Sequence, residues 1–413
     1  MESLAHKDVI NLLLQLASML LLARILAEVA QKFKQPAVVG EILAGIILGP
    51  TILGMATPDI FEYMFQSNPS ANLALDGIVQ VAVILLLFIA GLEVELHLVW
   101  SQGKSAVSIS LLGLIIPFVL GFVFPYFFPS FFGLAEGSQM LFSLFMGTAM
   151  SITALPVVVR ILMDMNLFKT KMGMVIVAGA MVNDIIGWLI FSVILSFMGK
   201  SGNLSLINTI GITLLFTAFM LTIGKGLFNK VLPWTNKKLA WPGGVLSLSM
   251  AFCFLFAAFT EWLGIHAIFG AFLFGVAMGD SDHLSEKAKE IIHQFINNIF
   301  APLFFVSIGL KINFFTNFDI WLVLAIIVIS FAGKIIGSGY GALRSGYTKT
   351  DALAVGFGMN ARGAMEIILG LIALENGLID EKLFVALVVM ALVTSMTSGP
   401  LMKWALKKKP SSG

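Results

Sequence analysis

The feature that most constrains this chain is the recurrence, along its whole length, of apolar runs near 20 residues. Each is long enough to cross a hydrocarbon core of roughly 30 Å as a helix. Thirteen such runs are expected, near residues 9–30, 37–57, 75–96, 106–128, 140–163, 172–197, 207–228, 242–263, 265–278, 291–310, 320–343, 352–374 and 383–405. Regular alternation is absent and the runs exceed barrel-strand length, so the fold class is an all-α integral membrane protein. Composition agrees, since 58% of the 413 residues are hydrophobic and 12% charged, against about 25% charged in a soluble domain. The run at 265–278 is short, and the pair flanking Gly264 is the least distinct.

A net charge of +2 without a dense basic face speaks against nucleic-acid binding. The single cysteine, Cys253, excludes an intramolecular disulfide and reads as a packed core thiol. The opening MESLAHKD lacks a basic stretch followed by a cleavage motif, so the first run is expected as a retained span. The closing PSSG reads as a disordered tail, and no separate soluble domain or low-complexity segment stands out.

Loop charge orients the spans. Of the 25 Lys and Arg residues, Arg24, Arg160, Lys334 and Arg362 fall within spans. Lys7, Lys200, Lys311 and Lys382 fall on one side, and the remaining seventeen on the other. The positive-inside rule then puts the N-terminus outside and the C-terminus in the cytoplasm of a cell membrane.

The two halves of the chain resemble each other. LLLFIAGLEV (85–94) and LFFVSIGLKI (303–312) both end an apolar run in Gly-Leu and a charge, but at opposite membrane sides. This pattern predicts inverted repeats, spans 1–6 matching 8–13 around span 7. The fifth span, broken by Pro156, then corresponds to the twelfth, which is interrupted by Gly356, Gly358 and Gly363. Paired interrupted helices point to a transport site.

The chemistry concentrates between Gly147 and Trp188. Asp184 lies near the middle of an apolar run, where a charge costs roughly 2.5–3.5 kcal/mol on insertion scales, so it marks a functional site by default. Pro156 cannot donate its N–H, and its ring crowds the Ile152 carbonyl. Backbone oxygen is thereby freed beside Ser151 and Thr153, whose hydroxyls add further ligands. Hard oxygen around a carboxylate suits a small hard cation. The alternative is a kinked helix beside a structurally paired aspartate.

Three more ionisable residues lie deep in spans: Lys334, Arg362 and Glu366. Arg362 and Glu366 are four apart and share a face, either as a bridge holding the broken helix or as part of an ion pathway. Lys334 has no acid within one turn, and Asp184 is a candidate partner. Glu41 reads as a structural or vestibule residue near a cytoplasmic span end. Gly45 and Gly49 form a close-packing face. His266 reads as a packed, hydrogen-bonded histidine or a pH sensor. Arg160 and Asp164 are spaced to pair, and Asn297 and Asn298, before Pro302, either satisfy backbone or line the path.

SITALPVVVRIL, VNDIIGW, GIHAIFGAFLFG, APLFFVSIGLKI, FAGKIIG and GMNARGAMEIIL, in this order, resemble the monovalent cation:proton antiporter superfamily. The nearest branch is the second family, with plant cation/proton exchangers and bacterial spore-germination and potassium-efflux antiporters. The likeness runs over nearly the whole chain from QPAVVGEILAGIILGP onward. It implies a homodimer with scaffold helices in 1–103 and 241–318, core helices in 104–200 and 319–413, and a linker helix in 201–240. Two broken helices would cross in the core. By the same resemblance Asp184 carries the cation and the proton, with Asn183 beside it and Thr153 and Ser151 at the crossover. The monovalent cation's ligands would be Asp184 and Thr153, with Lys334, Arg362 and Glu366 compensating charge. The partners implied are Na⁺ or K⁺, H⁺ and the lipid bilayer.

Electrogenic members carry two adjacent aspartates, whereas this chain has Asn183 before Asp184. One titrating carboxylate favours an electroneutral 1:1 exchange serving pH homeostasis, although a lysine releasing its own proton would raise the count. Some potassium-efflux relatives carry a C-terminal nucleotide-binding domain not seen in this sequence. A sodium-coupled symporter of an organic anion is the main rival, and a channel the second. No nucleophile–base arrangement, phosphate loop or thiolate cluster suggests an enzyme, and no cofactor is called for.

Overall fold

The computed structural model describes residues 5–33, 35–94, 103–134, 139–198, 206–281 and 283–407. Lys34, Lys200, Lys408 and Lys409 of the charge count, and the PSSG tail, lie outside the described residues. Among the described residues the chain is helical, with no strand. Among the described residues eleven helices are long and apolar enough to cross a membrane, and the bent pair Lys349–Met359 and Ala364–Glu375, taken as one span, makes a twelfth. The expected run at 265–278 is the helix Ala267–Gly279, whose 13 residues extend about 20 Å, less than a hydrocarbon core. By length alone the described helices make twelve crossings, and this short helix does not by itself establish the expected thirteenth.

Local chemistry sets the helix ends. Asp319 accepts from the amides of Trp321 (2.9 Å) and Leu322 (3.1 Å), and Thr348 caps the Asp351 amide (3.2 Å). Pro58 and Pro69 sit in first turns, where a missing N–H costs nothing. Pro302 has the opposite effect inside its helix. The turn before it opens into the π-turn Ile296–Phe300, and Asn298 Nδ2 donates to the Gln294 carbonyl at 2.7 Å. Large apolar side chains such as Leu21, Leu215, Trp262 and Val328 face outward, as lipid contact requires.

Glycine pairs hold the first group of helices together. A Cβ on Gly309 would stand 2.1 Å from the Gly45 carbonyl carbon, and one on Gly49 1.9 Å from the Gly309 oxygen. Ala37–Leu48 thus packs backbone to backbone on Ala301–Lys311. The same arrangement joins Pro69–Leu92 to Ala267–Gly279: a Cβ on Gly91 or Gly275 would lie 3.0 Å from the other's Cα. Gly91 and Gly309 are the equivalent glycines of the two matching motifs, so the inverted repeat is built into the contacts. Cys253 is a buried free thiol in this group.

The second group centres on Gly103–Phe127 and Ile320–Arg344, which pack on each other along their lengths. Gly103–Phe127 also contacts Gln139–Ser151 and Lys171–Met198, while Lys349–Met359 lies between Ile320–Arg344 and Glu381–Lys407. The candidate residues Asp184, Lys334, Arg362 and Glu366 lie within this second group and the broken helices packed on it.

Candidate functional site

The fifth span is two helices, Gln139–Ser151 and Leu155–Asp164, separated by a break at residues 152–154. The twelfth is broken between Met359 and Ala364 and bends by 46°. The breaks meet: the Ala154 amide donates to the Ala361 carbonyl at 2.9 Å, and Thr153 Oγ1 donates to the Met359 carbonyl at 3.0 Å. These are the two crossing broken helices expected from the sequence.

A broken helix leaves its last carbonyls without partners and a partial negative charge at that end. Here buried cations take them. Arg362 donates from Nη1 to the Ala149 carbonyl and from Nη2 to the Met150 carbonyl, both at 2.6 Å. Lys334 donates to the next carbonyl, that of Ser151, and also to Thr153 Oγ1 (2.7 Å) and the Gly113 carbonyl (3.0 Å). The oxygen freed near Ser151 is thus bound by side-chain cations rather than left open. Arg362 also pairs with Glu366 at 2.9 Å, both fully buried, which joins the expected ion pair to the capping. Ser395 Oγ bonds the Arg362 carbonyl and ties the last long helix to the break.

Asp184 lies on Lys171–Met198 with 0% exposure. Gly187, one turn on, lets this helix approach the break, since a Cβ there would meet Ile152 Cγ1 at 2.6 Å. Trp188, on the next turn, donates to Met365 Sδ at 3.5 Å and closes that side. Neither carboxylate oxygen of Asp184 makes a hydrogen bond of normal geometry. The groups acting on it electrostatically are Lys334, Glu93 and the Leu155 amide, at the positive end of the second half-helix. The expected direct Lys334–Asp184 contact is not formed, because the ammonium is saturated by neutral oxygens.

Asn183 satisfies its surroundings in one amide orientation. Its Nδ2 donates to Ser110 Oγ (2.9 Å) and to the Ser110 carbonyl (3.0 Å), and its Oδ1 accepts from Lys334 Nζ at 3.2 Å. Ser151 Oγ donates to the Thr148 carbonyl at 2.8 Å. A hydroxyl has two lone pairs, so Ser151 Oγ keeps acceptor capacity and Thr153 Oγ1, which already accepts from Lys334, keeps one lone pair.

A cavity of about 790 Å³ reaches the crossover from the end of the molecule that carries Arg24 and Lys403. Ala154, Pro156, Ala364 and Met365 line its deep part, with Glu41 and Glu93 on the wall. Glu41 is thus a vestibule residue. Arg160 and Asp164 also line it, but no ion pair within 4.0 Å joins them among the described residues. Asn298 does both things considered for it, bonding backbone and lining the cavity. His266 caps its helix, accepting from the Ile268 amide at 3.4 Å, as a hydrogen-bonded histidine would.

Sequence reasoning missed Ser110, Gly113 and Glu93. Ser110 and Gly113 carry no charge and act through a hydroxyl or backbone, so only their polarity in an apolar run hinted at them. Glu93 is the charge that ends the first repeat motif and was visible there.

Crossed breaks, a buried carboxylate and a cation-capped helix end are the features of a membrane carrier. The chain belongs to the sodium/hydrogen exchanger transmembrane family, whose signature matches residues 17–408. It is 32% identical to the Na(+)/H(+) antiporter NhaS4 of Synechocystis sp., over 95% of this chain and 97% of that protein. It is 30% identical to the Na(+)/H(+)-K(+) antiporter GerN of Bacillus cereus, over 96% of each. Against the K(+)/H(+) antiporter 1 of Saccharomyces cerevisiae identity is 31% over 94% of this chain, which spans 46% of that longer protein. In fold it matches the sodium proton antiporter MjNhaP1 of Methanocaldococcus jannaschii, with a TM-score of 0.65, 18% identity and coverage of 97% and 99%.

Proposed function

We propose that the protein is a secondary antiporter that exchanges a monovalent cation, Na⁺ or K⁺, for H⁺ at Asp184. The single observation that carries this is the Asp184 carboxylate, fully buried beside the crossed breaks with no side-chain hydrogen-bond or ion-pair partner among the described residues. A buried carboxylate in that state is relieved either by a proton or by a small cation, and by only one at a time. Thr153 and Ser151 hydroxyls and the Asp184 carboxylate supply the hard oxygens such a cation takes. The names of NhaS4, GerN and the yeast relative support the same reading.

The mechanism is alternating access. The group containing Asp184 and Lys334 moves against the glycine-packed scaffold of a homodimer, and the cavity is its inward vestibule. The N-terminus is outside and the C-terminus cytoplasmic. With a single aspartate in the Asn183–Asp184 pair, exchange is 1:1 and electroneutral. An organic-anion symporter fits less well, because the deep arginine that would bind the anion has both terminal nitrogens engaged by Ala149, Met150 and Glu366.

The test is proteoliposome exchange followed by an internal pH dye. Added Na⁺ or K⁺ collapses a preset pH gradient in the native protein, and Asp184→Asn abolishes the response while the melting profile is retained. Cation-driven collapse in Asp184→Asn at the native rate would overturn the assignment.

A further inference from the structure

We propose that Lys311 and Glu375 form an ionic latch at the end of the molecule opposite the cavity. Closed, it holds the glycine-packed helices against the second broken helix; it opens when Asp184 turns to face that side. The inference rests on alternating-access exchange at Asp184.

Three helices that run away from the cavity place the latch. Asn298, Ala301 and Pro302 line the cavity, and Lys311 ends the helix they begin. Ala364 and Met365 line its deep part, and Glu375 ends that 12-residue helix, about 18 Å long. Glu93 is on the cavity wall, and Asp76 lies toward the other end of Pro69–Leu92. The far ends converge, with Lys311 Nζ 3.1 Å from Asp76 Oδ1 and 3.3 Å from Glu375 Oε1. Lys311 and Asp76 belong to the glycine-packed group, whereas Glu375 belongs to the broken helix packed on Glu381–Lys407. A second contact joins the groups at this end. Asn317, in the link after Lys311, donates from Nδ2 to Glu381 Oε2 at 2.6 Å, and Glu381 starts the helix whose other end carries Lys403 to the cavity.

The chemistry suits a contact made and broken in every cycle. The side chains of Lys311, Asp76 and Glu375 are 36–53% exposed, so water replaces what the pair loses on opening. Lys311 keeps Asp76 when Glu375 leaves, and no charge is stranded. An exposed pair of this kind shifts an equilibrium by about 1.5–5-fold, a bias rather than a lock. At the cavity end Arg24 pairs with Glu28 on its own helix, and so does not bridge the groups. The bias therefore favours the cavity-open form.

That bias has a measurable sign. A cation arriving at the latch face meets only the fraction of carriers open to that side, and its apparent affinity is reduced by that fraction. A weaker latch raises the fraction and lowers the apparent KM there, while the cavity face, already open, keeps its KM. Loss of a surface acid acts the other way by simple attraction, because fewer cations gather at the face. Glu375→Gln thus separates unlatching from surface charge by the direction of the change.

Exchange in right-side-out and inverted vesicles, with Na⁺ and K⁺ added separately, reads the two faces. Glu375→Gln lowers the apparent KM at the latch face about 2–5-fold and leaves the cavity-face KM and the melting profile native. In a Lys311→Gln background Glu375→Gln lowers it no further. A latch-face KM that stays native or rises in Glu375→Gln would overturn the inference, as would an equal fall at both faces. Asp184→Asn, run alongside, separates the failures. Exchange that survives it sinks the exchange site itself, whereas lost exchange with an unmoved Glu375→Gln KM sinks only the latch.

Discussion

The Ala154 amide donates to the Ala361 carbonyl at 2.9 Å, so the two interrupted spans are joined by backbone at their point of crossing. A backbone bond there requires no particular side chain, and it fixes the spacing of the groups on either side. Thr153, next in line, bonds the Met359 carbonyl and accepts from Lys334, which extends the joint by one residue.

Arg362 is expected to matter first for stability. It satisfies the Ala149 and Met150 carbonyls and neutralises Glu366, so Arg362→Gln leaves a buried acid and two buried carbonyls short of partners. Loss of one partner of a buried pair costs about 3–5 kcal/mol. A large fall in detergent melting temperature is expected, partly recovered in Arg362→Gln with Glu366→Gln. Equal melting of the single variant and the native protein would rule out the capping role.

Pro156→Ala is expected to change little. The carbonyls of residues 149–151 are held by Arg362 and Lys334, and the break is pinned by Ala154 to Ala361, so the proline is one of several causes of the interruption. Pro156 lies in the first turn of Leu155–Asp164, where removing it costs below about 1 kcal/mol. Exchange within a few-fold of native is the expected result. Complete loss of transport would show that the ring itself holds the break open.

Cation affinity is expected to fall as pH falls. A carboxylate that holds a proton cannot hold Na⁺ or K⁺, so below its titration range each unit of pH raises the apparent KM toward about tenfold. The maximal rate at saturating cation stays unchanged. Proteoliposome kinetics at several pH values, under a clamped membrane potential, check this, and the rate is expected to be independent of that potential. A KM flat with pH would contradict a shared site.

The glycine contacts give a test of the scaffold. Gly309→Ala places a methyl 2.1 Å from the Gly45 carbonyl carbon, against backbone that cannot swing aside. Overpacking of this kind costs about 1–3 kcal/mol. Gly77→Ala, with nothing within 4 Å of the added carbon, is the control and is expected to melt as the native protein does.

Much of this architecture was readable from sequence because a membrane removes alternatives. Apolar runs must be helices, and Asp184, Lys334, Arg362 and Glu366 stood out against them. The repeat motif around Gly91 and Gly309 was readable too, since both glycines serve one kind of close contact. The missed details depend on direction rather than composition. Nothing in the spacing of Lys334 says that its ammonium rests on the carbonyls of Gly113 and Ser151 instead of on Asp184. Ser110 is one small polar residue among several in its run, and only its distance to Asn183 singles it out. The thirteenth crossing was counted from hydropathy, and the 13-residue length of Ala267–Gly279 is too short to establish it by itself.

Three consecutive carbonyls at the end of Gln139–Ser151 are gripped by the protein's own Arg362 and Lys334 side chains, not by cargo. Swapping one passenger for another therefore asks no remodelling of the peptide frame around it. On the exchange mechanism proposed above, a loaded and a bare carrier would differ in the charge to be carried through oil, which would make the checkpoint on an idle stroke dielectric rather than mechanical.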